Sequence, residues 1–255
     1  MHPRPLEEMK IHGFHAVMAV FARRPESIVR AYVTNERLSA AGALLKWCAS
    51  HKKAYHVVTA EELAKVVGTP HHEGIAVLTK AKAAMDFGTL LDSLAADQQP
   101  TPLIYCDGVA NPHTLGSMFR TAAHFGVPCV IGASRSLPAL SPAICRVAEG
   151  AAEAVDLVHV NDPLRALRAL KDLGFKLYGT SSHKGESLFG ARIAPRAVIV
   201  LGSEGQGMSP ALTQLCDGFL QIPGTGAVES LNVGVACGLI LGEFRRAFSP
   251  SAPAR

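Results

Sequence analysis

From residue 102 onward, short apolar runs alternate with helical segments, and this alternation limits the fold more than any other feature of the chain. Each apolar run has five or six residues, as in LIYCD, PCVIG, VDLVHV, FKLYGT and AVIVLG. Strands separated by helices favour a mostly parallel sheet that helices cover on both faces. Residues 101–248 are therefore predicted to form one α/β domain.

A smaller α/β pattern precedes this domain. Strand-like runs such as SIVRAYVT and GIAVLTK alternate with helical segments such as HAVMAVFARR and AEELAKVV. Residues 1–80 are therefore predicted to form a separate domain. Residues 81–100 end in a polar, proline-bounded turn and are predicted to be a linker with a short helix. The last residues, 249–255, are predicted to be disordered.

The first domain carries the positive charge of the protein. It holds 11 lysines and arginines against 7 aspartates and glutamates, a surplus that equals the net charge of +4 of the whole chain. A mildly basic domain permits an anionic partner such as RNA without defining one. Taken alone, the pairs Arg23–Arg24 and Lys52–Lys53 fit a solvated surface more often than RNA phosphate contacts.

Several classes of protein are disfavoured by the composition. No apolar run approaches the ~18 residues of a membrane span, and the N-terminus has no apolar signal core. The six cysteines form no CxxC pair and are predicted to be buried free thiols of a cytoplasmic protein. The adjacent His71 and His72 point to opposite faces of an extended segment, so no metal site is expected.

Three glycine-containing loops follow strands of the second domain. The first motif loop, residues 107–126, leads into a helix with Gly116 and, one turn later, Arg120. Taken alone, it also fits an ordinary strand-to-helix turn with a surface arginine. The second motif loop, residues 198–209, places the acid Glu204 among glycines ordered GxxGxG. This order matches neither a phosphate-binding P-loop nor the dinucleotide fingerprint GxGxxG.

The third motif loop, residues 220–238, combines a glycine turn with two polar residues before an apolar helix. Ser230 is placed to cap that helix, which is its ordinary structural interpretation. Asn232 is interpreted as lying two residues inside the helix, where its amide needs a hydrogen-bond partner. The small residues Gly234, Ala236 and Gly238 keep the helix thin enough for a close neighbour.

Taken together, the segments HTLGSMFRTAAHFG, VIVLGSEGQGMS and QIPGTGAVESLNVGVACG resemble the three motifs of the SpoU-type (TrmH-like) RNA 2′-O-ribose methyltransferases of the SPOUT class. The resemblance covers residues 102–247, and the branches most alike are RlmB-like and YfiF-like. Residues 1–80 are similar, more loosely, to the L30e-like RNA-binding domain of many family members. The resemblance implies a C-terminal trefoil knot, a homodimer, and ribosomal or transfer RNA as substrate.

The resemblance also implies S-adenosylmethionine as methyl donor, bound in the knot. The residues expected to contact it or leave space for it are Leu201, Gly202, Gly205, Ile222, Gly226 and Leu231. The residues expected to act in catalysis are Arg120, Glu204, Ser230 and Asn232. Guanidinium is essentially never deprotonated in proteins, so Arg120 is expected to bind a phosphate and stabilise oxyanion charge instead of acting as the base.

One position departs from the family pattern. Thr114 stands where the family usually has asparagine ahead of the Leu-Gly pair, and a hydroxyl cannot reproduce the paired donor and acceptor of an amide. Asn111, three residues earlier, is a candidate substitute. An alternative function therefore stays open, in which the protein binds RNA or assists ribosome assembly with weak or no catalysis.

Overall fold

The structure, a computed structural model, describes residues 7–248. The tail 249–255, predicted to be disordered, lies outside the described residues. The chain forms two compact units. Unit 1 contains the residues up to Ala83 together with Leu140–Ala154, and unit 2 contains Ala84–Ala139 together with the residues from Val155 onward. The predicted domain bounds stay a prediction.

The strands and helices alternate along both units. In chain order the strands are β1 Glu8–His12, β2 Ile28–Val33, β3 Ala54–Val57, β4 Ile75–Lys80, β5 Thr101–Asp107, β6 Cys129–Ala133, β7 Asp156–Val160, β8 Lys176–Thr180, β9 Glu186–Ser187, β10 Arg196–Gly202 and β11 Gly218–Gln221. The helices are α1 Phe14–Arg23, α2 Gly42–Ser50, α3 Ala60–Val67, α4 Phe87–Ala96, α5 Pro112–Phe125, α6 Pro142–Val147, α7 Pro163–Asp172, α8 Pro210–Leu215 and α9 Val233–Phe248. None of those within residues 7–248 combines the length and apolar character of a membrane span.

Unit 1 is built on a four-stranded sheet with the order β1-β4-β2-β3. Strand β4 runs antiparallel to both β1 and β2, whereas β3 pairs in parallel with β2 at the edge of the sheet. A capping box between Thr59 and Glu62 begins α3, and Gly68 ends it in the left-handed conformation. The local sequence thus defines both ends of this helix.

Residues 140–154 pack with unit 1 although they lie between two strands of unit 2 in the sequence. Glu153 accepts two hydrogen bonds from the Arg24 guanidinium, at 2.6 and 2.8 Å, and both side chains are largely buried. Arg146 on α6 forms ion pairs with Glu73 and, at 2.7 Å, with Glu149. The bidentate contact between Arg24 and Glu153 fixes geometry as well as charge.

Unit 2 contains a seven-stranded sheet with the order β7-β6-β5-β10-β8-β11-β9, and its strands pair in parallel. The predicted mostly parallel α/β fold is confirmed. Strand β10 is buried from Arg196 to Leu201, as expected for a central strand covered on both faces. The trefoil knot implied by the family resemblance stays a prediction.

The sheet brings the carboxyl ends of the motif strands to one edge. Gly202 at the end of β10 pairs in register with Asp107 at the end of β5, and Val200 pairs with Gly179 of β8. Strand β11 runs parallel to β8 on its other side. All three motif loops therefore leave the same edge of the sheet, where ligands of open α/β sheets bind.

Candidate active site

The second motif loop folds back tightly onto its own strand. A Cβ atom at Gly202 would lie 2.3 Å from the carbonyl carbon of Gly207 and 2.5 Å from the amide nitrogen of Met208. The Gly207 amide donates a hydrogen bond of 2.9 Å to the Ser203 carbonyl, which closes the turn. Only glycine at position 202 permits this close approach of backbone to backbone.

Asp107 fixes the far end of the same loop. Its Oδ2 accepts a hydrogen bond of 2.6 Å from the amide of Ser209, the residue that precedes α8. This contact joins the first and second motif loops and was not predicted from the sequence. An acid at the last position of a buried strand is the signal that points to such a residue.

A hydrogen bond between Asn232 and Glu204 joins the second and third motif loops. The Nδ2 of Asn232 donates to Oε1 of Glu204 at 2.6 Å. The Oδ1 of Asn232 accepts from the amides of Gly234 at 2.9 Å and Val235 at 3.3 Å. Both ends of the Asn232 amide are thus engaged, and the carboxylate of Glu204 stays exposed beside it.

The start of α9 differs from the sequence prediction. The helix begins at Val233, so Asn232 precedes it and accepts from its first free amides, as an N-cap residue does. The placement of Asn232 two residues inside the helix was wrong, and so was the interpretation of Ser230 as its cap. Ser230 lies exposed in the loop before the helix, where its hydroxyl is accessible.

Helices α5 and α9 pack side by side along a row of glycines. Cβ atoms at Gly234, Gly238 and Gly242 would lie 3.6 to 3.7 Å from side-chain atoms of α5. Their partners, in the same order along α5, are Ser117, Thr121 and Phe125. The matched spacing of four residues shows that the two helices run in the same direction, and it places the first motif loop beside the start of α9.

Arg120 lies on α5 and is exposed. Within residues 7–248 its guanidinium makes no hydrogen bond or ion pair, and it lines an open cavity of about 270 Å³ with Thr121, His124 and Phe125. Among the described residues, Glu204 is hydrogen-bonded to Asn232, but neither Arg120 nor Ser230 forms a hydrogen bond or ion pair with them. An unpaired guanidinium at an open surface is available to an anionic ligand.

The residue that departs from the family pattern, Thr114, lies in the first turn of α5. Asn111 is the N-cap of this helix, and its Oδ1 accepts from the amides of His113 at 2.9 Å and Thr114 at 3.4 Å. The amide oxygen of Asn111 is thus occupied by the helix. Asn111 does not offer the paired donor and acceptor that the family asparagine would supply.

The residues expected to contact the cofactor lie in the second and third motif loops. Leu201 is buried, Gly202 and Ile222 are half-buried, and Gly205, Gly226 and Leu231 are exposed. Gly205 and Gly226 adopt positive φ values of 88° and 81°, and no neighbouring atom of residues 7–248 lies within 4 Å of a Cβ built on either. Both glycines thus combine a left-handed backbone with open space beside it.

The thiols next to this edge are not nucleophiles. Burial raises the pKa of Cys237 on α9 to about 12 and raises that of Cys106 on β5 as well. Both thiols are therefore protonated at neutral pH. Five of the six free cysteines are buried, as predicted, whereas Cys216 is half-buried. Across the described part of the chain, no three His, Cys, Asp or Glu side chains form a metal-binding arrangement.

The parallel sheet with three connected loops at its carboxyl edge has the fold of a solved SpoU methyltransferase. The SpoU methyltransferase AviRb from Streptomyces viridochromogenes, solved in complex with the cofactor AdoMet, superposes with a TM-score of 0.76 at 20% identity. The alignment covers 94% of this chain and 90% of that one. At this identity the likeness concerns the fold alone.

Sequence comparisons define the family. The SpoU rRNA Methylase family matches residues 102–242, and the RNA 2′-O ribose methyltransferase substrate-binding family matches residues 10–85. The chain belongs to the SpoU rRNA Methylase family. It is 36% identical to the uncharacterized tRNA/rRNA methyltransferase YfiF of Escherichia coli O157:H7, over 94% of this chain and 68% of that protein. It is 34% identical to the 23S rRNA (guanosine-2′-O-)-methyltransferase RlmB of Vibrio cholerae, over 91% of this chain and 94% of that one.

Proposed function

We propose that this protein transfers a methyl group from S-adenosylmethionine to the 2′-hydroxyl of a ribose in ribosomal or transfer RNA. The observation that carries this proposal is the 2.6 Å hydrogen bond between Asn232 and Glu204. It holds the second and third motif loops together at the sheet edge where the first motif loop also begins. Membership of the SpoU rRNA Methylase family supports the same reaction. Such a substrate would place the protein in the cytoplasm.

The sheet edge suits an adenosyl ligand that carries no phosphate. The exposed carboxylate of Glu204 would repel a phosphate, whereas the open backbone beside Gly205 and Gly226 leaves space and accessible amides. The cofactor would supply an electrophilic methyl group on its sulfonium. The residues proposed to hold it are Leu201, Gly202, Gly205, Ile222, Gly226 and Leu231. The buried Leu201 side chain leaves only backbone atoms for this contact.

The chain's own residues would align and activate the ribose. A hydroxyl is a weak nucleophile at neutral pH, so its orientation and the charge near it decide the rate. We assign to Arg120 the binding of the neighbouring phosphate and the stabilisation of the developing oxyanion, because its guanidinium is exposed and unpaired within residues 7–248. Glu204 and Asn232 hold the loop arrangement, and the exposed hydroxyl of Ser230 orients the loop and the ribose.

We further propose that the protein acts as a homodimer whose contact surface includes α9. Four apolar side chains are exposed at or just before this helix, and water would be excluded from them in a dimer. They are Val228, Leu231, Val235 and Leu239, with exposed fractions of 70%, 44%, 53% and 39%. Residues 1–80 would form the domain that binds substrate RNA, and residues 101–248 would form the domain that catalyses methyl transfer. Residues 81–100 would connect these two domains.

The alternative function is that of an RNA-binding or ribosome-assembly protein with weak or no catalysis. Thr114 supports it, because the nearby Asn111 uses its amide oxygen to cap α5. Arg120, Glu204, Ser230 and Asn232 favour the enzyme, because the chain has kept all four residues that the resemblance assigns to catalysis.

One experiment separates the two functions. The wild-type protein and Arg120→Ala are incubated with S-adenosylmethionine carrying a labelled methyl group and with total RNA, and the label in RNA ribose is measured. If the protein is the proposed methyltransferase, the wild type transfers the label to RNA and Arg120→Ala does not. The absence of transfer by both proteins, with RNA still bound, would establish the assembly protein. Calorimetry with S-adenosylhomocysteine checks the cofactor site independently.

A further inference from the structure

Three aromatic rings lie in series near the carboxyl end of α2 in unit 1. Phe21 meets Trp47 edge-on with ring centroids 6.0 Å apart. His51 lies flat against Trp47, with centroids 4.4 Å apart and planes 18° from parallel. The Nδ1 of His51 is 3.0 Å from the carbonyl oxygen of Trp47 and 2.9 Å from the hydroxyl of Ser50. The series therefore ends in an exposed imidazole whose orientation is fixed.

Two lysines follow His51 directly in the sequence. Lys52 is exposed and Lys53 is half-buried. Within residues 7–248, neither ammonium group forms an ion pair or a hydrogen bond with the protein. The edge strand β3 begins at the next residue, and all four of its residues are exposed. Unpaired cations and a ring surface for stacking are the two elements with which proteins hold unpaired RNA.

The backbone at Lys52 is unusual for a lysine. The amides of Lys52 and Lys53 donate to the carbonyls of Ala49 and Cys48, a helix-ending turn that requires a left-handed residue at position 52. Lys52 adopts φ 54°, whereas glycines occupy the corresponding left-handed positions after α3 and α5, Gly68 and Gly126. Lysine is disfavoured in this conformation and glycine is not. A cation thus stands where the backbone favours glycine, which points to a role for the charge.

We infer that this corner of unit 1 binds an unpaired RNA nucleotide. A base stacks on the open face of His51, and neighbouring phosphates contact Lys52 and Lys53. The inference rests on the proposed function for the identity of the partner as RNA, and it adds the contact surface and the preference for an unpaired strand. A paired base cannot stack on the imidazole, because its faces are already covered within the duplex.

Trp47 is the only tryptophan of the chain, so the tryptophan fluorescence of the protein comes from this surface. The full-length protein is titrated with a mixed-sequence single-stranded RNA and with the duplex of the same sequence, while tryptophan fluorescence is followed. We expect the single strand to bind more tightly than the duplex and to change the fluorescence of Trp47. Binding of the single strand without a change in fluorescence would overturn the stacking contact.

The double variant Lys52→Gly with Lys53→Gln tests the phosphate contacts. Its affinity for the single strand should fall, and the slope of log affinity against log salt should decrease by about 0.7 for each lost phosphate contact, or about 1.4 in total. Its unfolding midpoint in urea should be unchanged or higher, because glycine relieves the left-handed backbone at position 52. The affinity thus falls without a loss of stability, which separates a lost contact from a damaged fold.

The matched control removes two exposed lysines elsewhere in unit 1, Lys65→Gln with Lys80→Gln. It should bind like the wild type. An unchanged affinity and salt slope in the corner variant, or an equal loss in the control, would overturn the inference. Methyl transfer is assayed on the same preparations. A wild type that binds RNA through the corner but transfers no methyl group would refute the proposed enzyme and leave the RNA surface standing.

Discussion

Asn232 donates a 2.6 Å hydrogen bond to Glu204 while its own amide oxygen caps α9 at Gly234 and Val235. A single side chain thus connects the second motif loop to the start of the final helix. The two ends of its amide group have different partners, since the oxygen accepts hydrogen bonds from the first amides of α9 and the nitrogen donates one to the carboxylate of Glu204. Substitutions that change one end and keep the other can therefore separate stability from activity.

Asn232→Asp should lower methyl transfer while α9 keeps its N-cap. Aspartate caps helices as well as asparagine does, so α9 keeps its first hydrogen bonds. The variant replaces the donor to Glu204 by a second carboxylate. The two carboxylates repel each other and displace the second motif loop from the start of α9, so kcat/KM should fall about 10- to 100-fold, equivalent to about 1.4–2.7 kcal/mol in the barrier. Asn232→Ala, the comparison variant, should also lose about 1 kcal/mol of stability. Wild-type kcat/KM in Asn232→Asp would refute a role for this contact.

Gly202→Ala should displace the second motif loop. Its Cβ would lie 2.3 Å from the backbone of Gly207, and neither backbone segment can yield without moving the turn. Overpacking of this kind costs about 1–3 kcal/mol, and the affinity for S-adenosylhomocysteine measured by calorimetry should fall with it. Gly224→Ala is the control, because in the described part of the chain no neighbouring atom lies within 4 Å of its Cβ. Equal affinities of the two variants would contradict the assignment of this loop to the cofactor.

Glu153→Gln should destabilise unit 1. The bidentate pair with Arg24 is largely buried, with side-chain exposures of 16% and 5%, and loss of one charge leaves the other uncompensated. Loss of one partner of a buried pair costs about 3–5 kcal/mol, and residual exposure of Arg24 places the expected value near the lower end, about 3 kcal/mol. Urea unfolding followed by Trp47 fluorescence measures it. Arg246→Gln, which breaks a pair on α9 whose arginine is 71% exposed, should cost under about 1 kcal/mol.

Val235→Glu combined with Leu239→Glu should give a folded monomer. Both side chains are exposed in the single chain, so charges there leave its core intact, but two carboxylates would oppose their counterparts in a dimer. Light scattering during size-exclusion chromatography measures the mass. A wild-type protein that is already monomeric at micromolar concentration would contradict the proposed homodimer. Retained helical circular dichroism in the variant excludes misfolding.

The sequence predicted the parallel sheet and the three motif loops because periodicity and glycine placement are local signals. The start of α9 was misplaced because Ser230 and Asn232 are both preferred N-cap residues, and the sequence alone did not decide between them; the structure selects Asn232, directly before Val233. The contact of Asp107 with the Ser209 amide joins residues 102 positions apart. The pairing of Arg24 with Glu153 spans 129 positions. Such contacts form only in the folded chain and produce no periodic pattern in the sequence.

Residues 140–154 bear on how this protein can be dissected in the laboratory. They lie inside the sequence matched by the catalytic family, yet they pack with unit 1 and are held there by Arg24 and Glu73. A fragment starting at residue 101 would contain residues 140–154 without the rest of unit 1 and would expose Ile144 and Cys145, which the intact chain buries. Domain exchange between family members would therefore need two grafted segments in place of one junction.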